Sequence, residues 1–225
     1  MTTAITRTLS EHDSKRLLAS AGVPVLDERL VATPDAAVTA AHEVAPGDET
    51  VVVKLCGAGV AHKTERGLVR LGLRRDDEVR DAARALLAAA QPGDAGHGDV
   101  GLLVAPMVHG SRELIAGVQR DPQFGPCVMV GIGGVLAEAI ADVTFRLAPL
   151  ERVDAEEMLE ELATRAVLGP FRGEPPVDRH AVVDVLLALS RVVETNAHVA
   201  SADVNPLVIV GGRPVAVDAL VEVRA

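Results

Sequence analysis

The sequence predicts a mixed α/β (α+β) fold, and three observations predict it. Segments with the 3.6-residue apolar period of helices alternate along the chain with short β-branched runs that suit strands. The 225 residues are 48% hydrophobic, enough for one large domain or two small lobes with buried cores. Proline and glycine in Ala105-Pro106-Met107-Val108-His109-Gly110 interrupt two strand-like stretches, which marks a joint between lobes. On this division residues 1–225 form a single domain. Lobe 1 covers about 22–104, and lobe 2 about 105–225 together with a helix at 10–21.

The elements follow in order. Ser10 opens a capping box with Asp13 ahead of Leu17-Leu18, and Gly22 closes that helix. Thr33-Pro34-Asp35 starts a second helix with proline at its first position. Val51 to Leu55 and Val69 to Leu73 read as strands, and Asp76 to Ala90 as an alanine-rich helix followed by a loose loop from Gln91 to Asp99. After Gly101 to Met107 come strands over Glu113 to Gln119 and Pro126 to Ile132. A helix over 152–168 opens at Asp154, with Glu156 and Glu157 in its first turn, where the dipole favours acids. Residues 179–195 form another helix, whose stripe of Val182, Val183, Leu186, Leu187, Leu189, Val192 and Val193 belongs to the core. The last element is a hairpin over Asp203 to Leu220 that turns at Gly211-Gly212.

Composition excludes several function classes. A net charge of −10 without any basic run argues against nucleic acid as a partner, and the absence of Trp and Tyr removes base-stacking platforms. Cys56 and Cys127 lie far apart in strand-like stretches and read as reduced core thiols. No run reaches the length that spans a bilayer, and the N-terminus leads into no apolar signal segment. The expectation is a soluble, cytoplasmic protein with no membrane partner.

Candidate site residues stand out against this background. The chain has only three lysines among 22 basic residues, and two of them, Lys54 and Lys63, lie in one segment with His62. Lysine kept where arginine is the default suits a site that wants a compact ammonium, as phosphate binding does. Lys54 ends an apolar run before a glycine-bearing loop that delivers His62. Read alone, the segment fits a phosphate site or an ordinary surface lysine with a solvated histidine. In the hairpin, a two-residue turn sets Val210 against Arg213, and counting outward sets Asn205 against Asp218, whereas a four-residue turn that includes Pro214 would slip this register and spoil the pairing. Directly opposed side chains have Cβ atoms about 5 Å apart, so a carboxylate and a carboxamide oxygen meet at the open end. The pair suits Mg²⁺, or serves as two caps at strand ends. Gly131, Gly133 and Gly134 let the backbone approach a ligand before a helix that carries Glu138 one turn in, or they are structural glycines of a tight turn.

Together these blocks resemble the ATP-grasp subunit or domain of the nucleoside-diphosphate-forming acyl-CoA synthetases, relatives of the β subunit of succinyl-CoA synthetase. The matching stretches are Glu11 to Val25, Val51 to Leu73 with His62-Lys63-Thr64-Glu65, Val104 to Gly117, Arg120 to Leu150, Phe171-Arg172-Gly173 with Pro175-Pro176 and Asp178, and Asp203 to Leu220. The resemblance implies an ATP-grasp fold, two α+β lobes with the nucleotide between them. It implies that Lys54, Gly133 and Gly134 serve the nucleotide, that Pro106, Met107 and Val108 form its adenine-binding linker, and that Glu113 is an acid at the same site. Asn205 and Asp218 match Mg²⁺ ligands, and His62 matches a histidine that relays phosphate. The implied cofactors are ATP/ADP and Mg²⁺. The implied reaction is acid + CoA + ATP ⇌ acyl-CoA + ADP + phosphate, that of an acid–thiol ligase. No CoA-binding part is visible in the chain, so the resemblance implies a CoA-binding, phosphohistidine-carrying α-type subunit in a hetero-oligomer. Other readings are a carboxylate–amine ligase working through a free acyl phosphate, or a degenerate nucleotide-sensing subunit. Retention of Lys54, Asn205 and Asp218 counts against the last.

Overall fold

Val51-Val52-Val53-Lys54-Leu55-Cys56 forms β3 (Val51–Cys56), and all six positions are buried. The three leading valines favour a pleated, buried surface, and strands on both sides take up the backbone hydrogen bonds. These relations come from a computed structural model that describes residues 6–60, 63–134, 137–171 and 173–224, arranged as two compact units.

The first unit comprises Leu9–His12 and Leu26–Val108. Its four-stranded sheet has the order β2 (Arg29–Val31), β5 (Gly101–Pro106), β3 and β4 (Val69–Leu73), antiparallel throughout. Helices α2 (Pro34–Val44) and α3 (Asp76–Ala88) pack on it, burying Ala37, Val53, Leu55, Leu86, Leu102 and Val104 in one core. The Thr33 hydroxyl accepts the Ala36 amide at 3.2 Å, so the cap and first-position proline start α2 as the sequence indicates. Helix α3 stops at Ala88, two residues short of the expected end.

The segment after α3 is tied rather than loose. Asp94 is 3% exposed, and its carboxylate accepts the Gln91 amide at 2.8 Å and a two-pronged contact from Arg66 at 2.7 and 2.8 Å. The Asp94 carbonyl accepts the Gly59 amide at 3.0 Å. A Cβ on Gly59 would lie 1.9 Å from the Gly93 oxygen, so only glycine permits this approach. Asp94 therefore ties Gly59 through its backbone carbonyl and Arg66 through its carboxylate.

The second unit contains β1 (Thr6–Thr8), Asp13–Val25 and His109–Ala225. It holds most of α1 (Glu11–Ser20). Its antiparallel sheet runs β1, β11 (Ala219–Arg224), β9 (Val199–Val210), β6 (Glu113–Asp121), β7 (Gly125–Ile132) and β8 (Val143–Leu147), with β10 (Arg213–Ala216) paired to β9. Helix α6 (Arg179–Thr195) packs on β6, β7 and β9, and α5 (Arg152–Glu161) on β8 and α6, closing one face. Asp178 caps α6 by accepting the Ala181 amide at 3.1 Å.

Several expectations fail here for local reasons. The helix expected over 152–168 breaks after Glu161, where Leu162 leaves the helical conformation with ψ at 125°, and a 3-10 helix takes over at Arg165–Leu168. The Asp142 carboxylate accepts the Ala163 and Thr164 amides at 3.0 and 2.8 Å, which compensates the interruption. The helix expected after the glycine loop is the four-residue α4 (Ala137–Ile140), too short for an anion site at its N-terminus. Strands β1, β2 and β8 were not anticipated, although Val143-Thr144-Phe145-Arg146-Leu147 alternates as a half-buried strand should. Cys56 is buried and free, but Cys127 is only half-buried and lines a cavity of about 550 Å³ with Met129, Phe145, Leu147 and Asp203. The mixture of α and β is thus of the antiparallel α+β kind. Among the described residues no helix is long and apolar enough to cross a membrane.

Candidate functional site

In the first unit, Lys54 occupies the fourth position of an inner strand rather than the mouth of a loop, and its residue is 7% exposed. Its ammonium meets the Glu11 carboxylate at 2.6 Å, with Glu11 5% exposed. The other carboxylate oxygen of Glu11 takes the Lys63 ammonium, so two of the three lysines converge on one acid. Cys56, two residues along β3, lies beside the same cluster. Burial pushes its thiol pKa up, against hydrogen bonds from the His12 backbone and the Ser10 side chain. The Lys63 carbonyl accepts the Leu68 amide at 2.7 Å, and Arg66 is held by Asp94. The Arg66 guanidinium, then the Gln91 amide, hold the Asp94 carboxyl below the usual carboxylate range against the effect of burial.

Pro106 ends β5 opposite Val51, and the Met107 amide donates to the Thr50 carbonyl at 2.8 Å. Val108 is the last residue of this unit, and all three are half-buried.

In the second unit the hairpin has the counted register: Arg213 faces Val210, Pro214 faces Ile209, Val215 faces Val208 and Ala216 faces Leu207. Both turn glycines have positive φ, 56° at Gly211 and 87° at Gly212, as the primed hairpin turn requires. Continuing outward, the Val217 amide donates to Pro206 at 3.1 Å and the Asn205 amide to Asp218 at 3.2 Å. Asn205 and Asp218 are therefore opposed, at the point where β9 exchanges β10 for β11 as its neighbour.

Asp203 lies two residues before Asn205 on β9 and opposite Leu220, hence on the face that carries the pair. Desolvation in the cavity, then the Asp218 charge, raise the Asp203 carboxyl above its ordinary value, although the residue as a whole is exposed. Carboxylates that repel one another beside a carboxamide oxygen form a donor set suited to a hard cation. Among the described residues no group of three or more His, Cys, Asp or Glu could hold a metal ion.

Glu113 opens β6, which lies beside β9. The Gly133 amide donates to the Glu113 carbonyl at 2.8 Å. A Cβ on Gly133 would sit 3.0 Å from backbone atoms of Glu113 and Leu114, and one on Gly134 would come 3.8 Å from the Glu113 carboxylate. The structure thus brings Glu113, Gly133 and Gly134 together, and close packing on β6 already explains glycine at 133.

His62 and Arg172 lie outside the described residues, as does the side chain of Glu138. Sequence reasoning missed Glu11, Asp94 and Asp203. Period-two alternation back from Asn205 could have found Asp203. Nothing local marks Glu11, which is 43 residues from Lys54.

The chain belongs to the family of ATP-grasp domains, whose model matches residues 2–223. The relatives are acid–thiol ligases. The β subunit of ADP-forming acetate–CoA ligase I of Pyrococcus furiosus is 32% identical over 213 residues, which cover 95% of this chain and 90% of that subunit. The dinucleotide-forming acetyl-coenzyme A synthetase 1 of Ca. Korarchaeum cryptofilum, solved with coenzyme A and Ca-AMPCP, superposes with a TM-score of 0.88 at 37% identity, covering 97% of this chain and 94% of that one. A second structure of that synthetase, with coenzyme A and Mg-AMPPCP and its phosphohistidine segment pointing towards the nucleotide-binding site, superposes with a TM-score of 0.82 at 37% identity, covering 97% and 93%.

Proposed function

We propose that this chain is the nucleotide-binding subunit of an ADP-forming acyl-CoA synthetase, which converts an acid, CoA and ATP to acyl-CoA, ADP and phosphate with a CoA-binding partner subunit. The observation that carries this reading is the similarity to a ligase β subunit along 90% of that subunit's length. The relatives' designation as β subunits supports a partner chain, and the Mg-AMPPCP complex of a relative supports a magnesium nucleotide as ligand.

Each side chain has a task under this reading. Lys54 presents a compact ammonium to nucleotide phosphates from an inner strand that holds it in place. Pro106, Met107 and Val108 contact the adenine, and Glu113, Gly133 and Gly134 line the nucleotide site. Asn205 and Asp218 would hold Mg²⁺, which when bound supplies positive charge to the phosphate oxygens. His62 accepts the γ-phosphoryl group on a ring nitrogen: the P–O bond to ADP breaks, the N–P bond forms, and the imidazole proton leaves to solvent. The group then passes to the partner's histidine and on to the acyl-phosphate centre.

The test uses His62→Asn, assayed with the partner subunit. Magnesium-nucleotide affinity should stay within about threefold, because Lys54 and the hairpin remain, while thioester synthesis falls by about three orders of magnitude or more, as when a covalent carrier is lost. Turnover near the wild-type rate would replace the relay by direct transfer.

A further inference from the structure

The residues that lead into β6 are gripped from several directions within the second unit. A Cβ on Gly110 would lie 2.4 Å from the Ile209 carbonyl oxygen, so only glycine lets this stretch run so close to β9. The Arg112 carbonyl then accepts the Ile209 amide at 2.9 Å, and the Glu113 carbonyl accepts the Gly133 amide at 2.8 Å. The Arg112 side chain reaches a different segment. Its residue is 5% exposed, and its guanidinium donates to the carbonyls of Val167 at 3.3 Å, Gly169 at 3.0 Å and Pro175 at 2.7 Å. It also meets the Glu174 carboxylate at 3.2 Å. The Val177 amide closes the same segment on the Leu168 carbonyl at 2.9 Å, so Arg112 binds both limbs of a closed loop. The Ser111 side chain, against desolvation, and then Arg112 hold the Glu174 carboxyl below its ordinary value.

A buried arginine is a costly way to join these segments. Its guanidinium leaves water, its acid Glu174 is only half-buried, and its Nε finds no hydrogen-bond partner among the described residues. Apolar packing would hold the loop without that cost. What an apolar side chain cannot do is fix direction. A planar fork bound to three carbonyls at once sets both the place and the rotation of the backbone that carries it. That matters one residue further on. Glu113 is the first residue of β6, where a strand would otherwise fray. Glu113, Ile115 and Gly117 share one face of β6, and Gly117 is opposite Asp203. Glu113 therefore lies on the sheet face of Asp203 and the Asn205–Asp218 pair, while the Arg112 guanidinium is fixed behind it against Val167, Gly169 and Pro175.

We propose that Arg112 is a positioning residue that, from the back of the sheet, fixes Glu113 in the orientation in which its carboxylate meets the nucleotide. This rests on the reading of Glu113 as an acid of the nucleotide site and adds Arg112, with Glu174 behind it, to that site. A merely structural arginine and a positioning one differ in what they couple to. Loss of a structural tie lowers stability, and any effect on affinity is the same whether or not position 113 carries an acid. Loss of a positioning tie lowers affinity only while the Glu113 carboxylate is there to be misplaced.

The experiment is calorimetric titration of the whole chain with MgADP, with thermal melts on the same preparations. It compares wild type with Arg112→Lys, Glu174→Gln and Glu113→Gln, and with each of the first two combined with Glu113→Gln. Arg112→Lys keeps the charge, but a point-like ammonium cannot bridge the three carbonyls. The proposal predicts affinity lowered about tenfold in Arg112→Lys and about threefold in Glu174→Gln. Added to Glu113→Gln, either substitution should change affinity by less than about twofold, while it lowers Tm as much as it does alone. Arg112→Lys decides where it folds, and Glu174→Gln, at a half-buried position, decides where it does not. Wild-type affinity in the deciding variant, or its full loss repeated on top of Glu113→Gln, overturns the proposal. Glu113→Gln separates the two levels. If it binds MgADP as wild type does, the reading of Glu113 as a nucleotide residue fails and the role of Arg112 with it; if it is weakened and the deciding variant is not, only the role of Arg112 falls.

Discussion

Lys54 and Asp218 are charged residues held in place by different physics. Lys54 stands on an inner strand, and a carboxylate from a distant helix turn compensates its charge at 2.6 Å. Asp218 stands at a strand switch, where backbone pairing with Asn205 fixes its position and its charge helps to raise the Asp203 carboxyl. The first region carries its counter-charge within the fold. In the second, desolvation and then the Asp218 charge raise the Asp203 carboxyl, and an added cation would relieve that repulsion. The difference teaches that a charged side chain can be set either by a partner from a distant segment or by the register of its own strand.

The comparison can be broken at either end. Lys54→Met should have the largest effect, because one charged hydrogen bond to phosphate is worth about 1.5–3 kcal/mol, or roughly 10- to 100-fold in nucleotide affinity. Asp218→Ala should follow, with a different signature: affinity in magnesium falls roughly tenfold to the metal-free value, and the metal dependence itself disappears. Calorimetry with and without Mg²⁺ reads both variants. Loss of metal dependence in Lys54→Met, or its survival in Asp218→Ala, would reverse the assignment of roles.

A smaller effect is expected at Asp94, whose carboxylate holds the Arg66 guanidinium and the Gln91 amide in the lysine-bearing unit. Its pKa is depressed, so the stability it contributes is present above the ordinary carboxylate value near 3.8 and is lost as pH falls through the lower folded value. Asp94→Asn should therefore lower Tm at neutral pH by about 5 °C and flatten the loss of stability below about pH 4. Thermal melts across that range measure both, and an unchanged acid limb would remove Asp94 from the account. The smallest effect is at the cysteines. Burial first, then Asp121, raise the Cys127 thiol, so a thiol reagent should label it more slowly than free cysteine and leave Cys56 unlabelled in the folded chain. Rapid labelling of both would mean that β3 is less buried than described.

How legible each region was follows from its physics. The hairpin register was countable once a two-residue turn at Gly211-Gly212 was assumed, and the positive φ of both glycines decides for that turn over the longer one including Pro214, so Asn205 and Asp218 meet as counted. The alternating helices and strands, and the cap at Thr33, were readable for the same reason: the signal is local. Glu11 was not, since its meeting with Lys54 depends on tertiary packing. The split of the 152–168 helix was hidden likewise, because Asp142, which takes the amides freed at Ala163 and Thr164, lies about 20 residues upstream. Cys127 was misjudged because its strand is covered on one face only.

The most direct measurement is calorimetric titration of the purified chain with ADP, first in excess Mg²⁺ and then in a chelator. The account predicts binding in Mg²⁺ that weakens about tenfold or more when the metal is removed, since Asn205 and Asp218 then face phosphate without a cation between them. Equal affinity in the two conditions, or no binding in either, would contradict it.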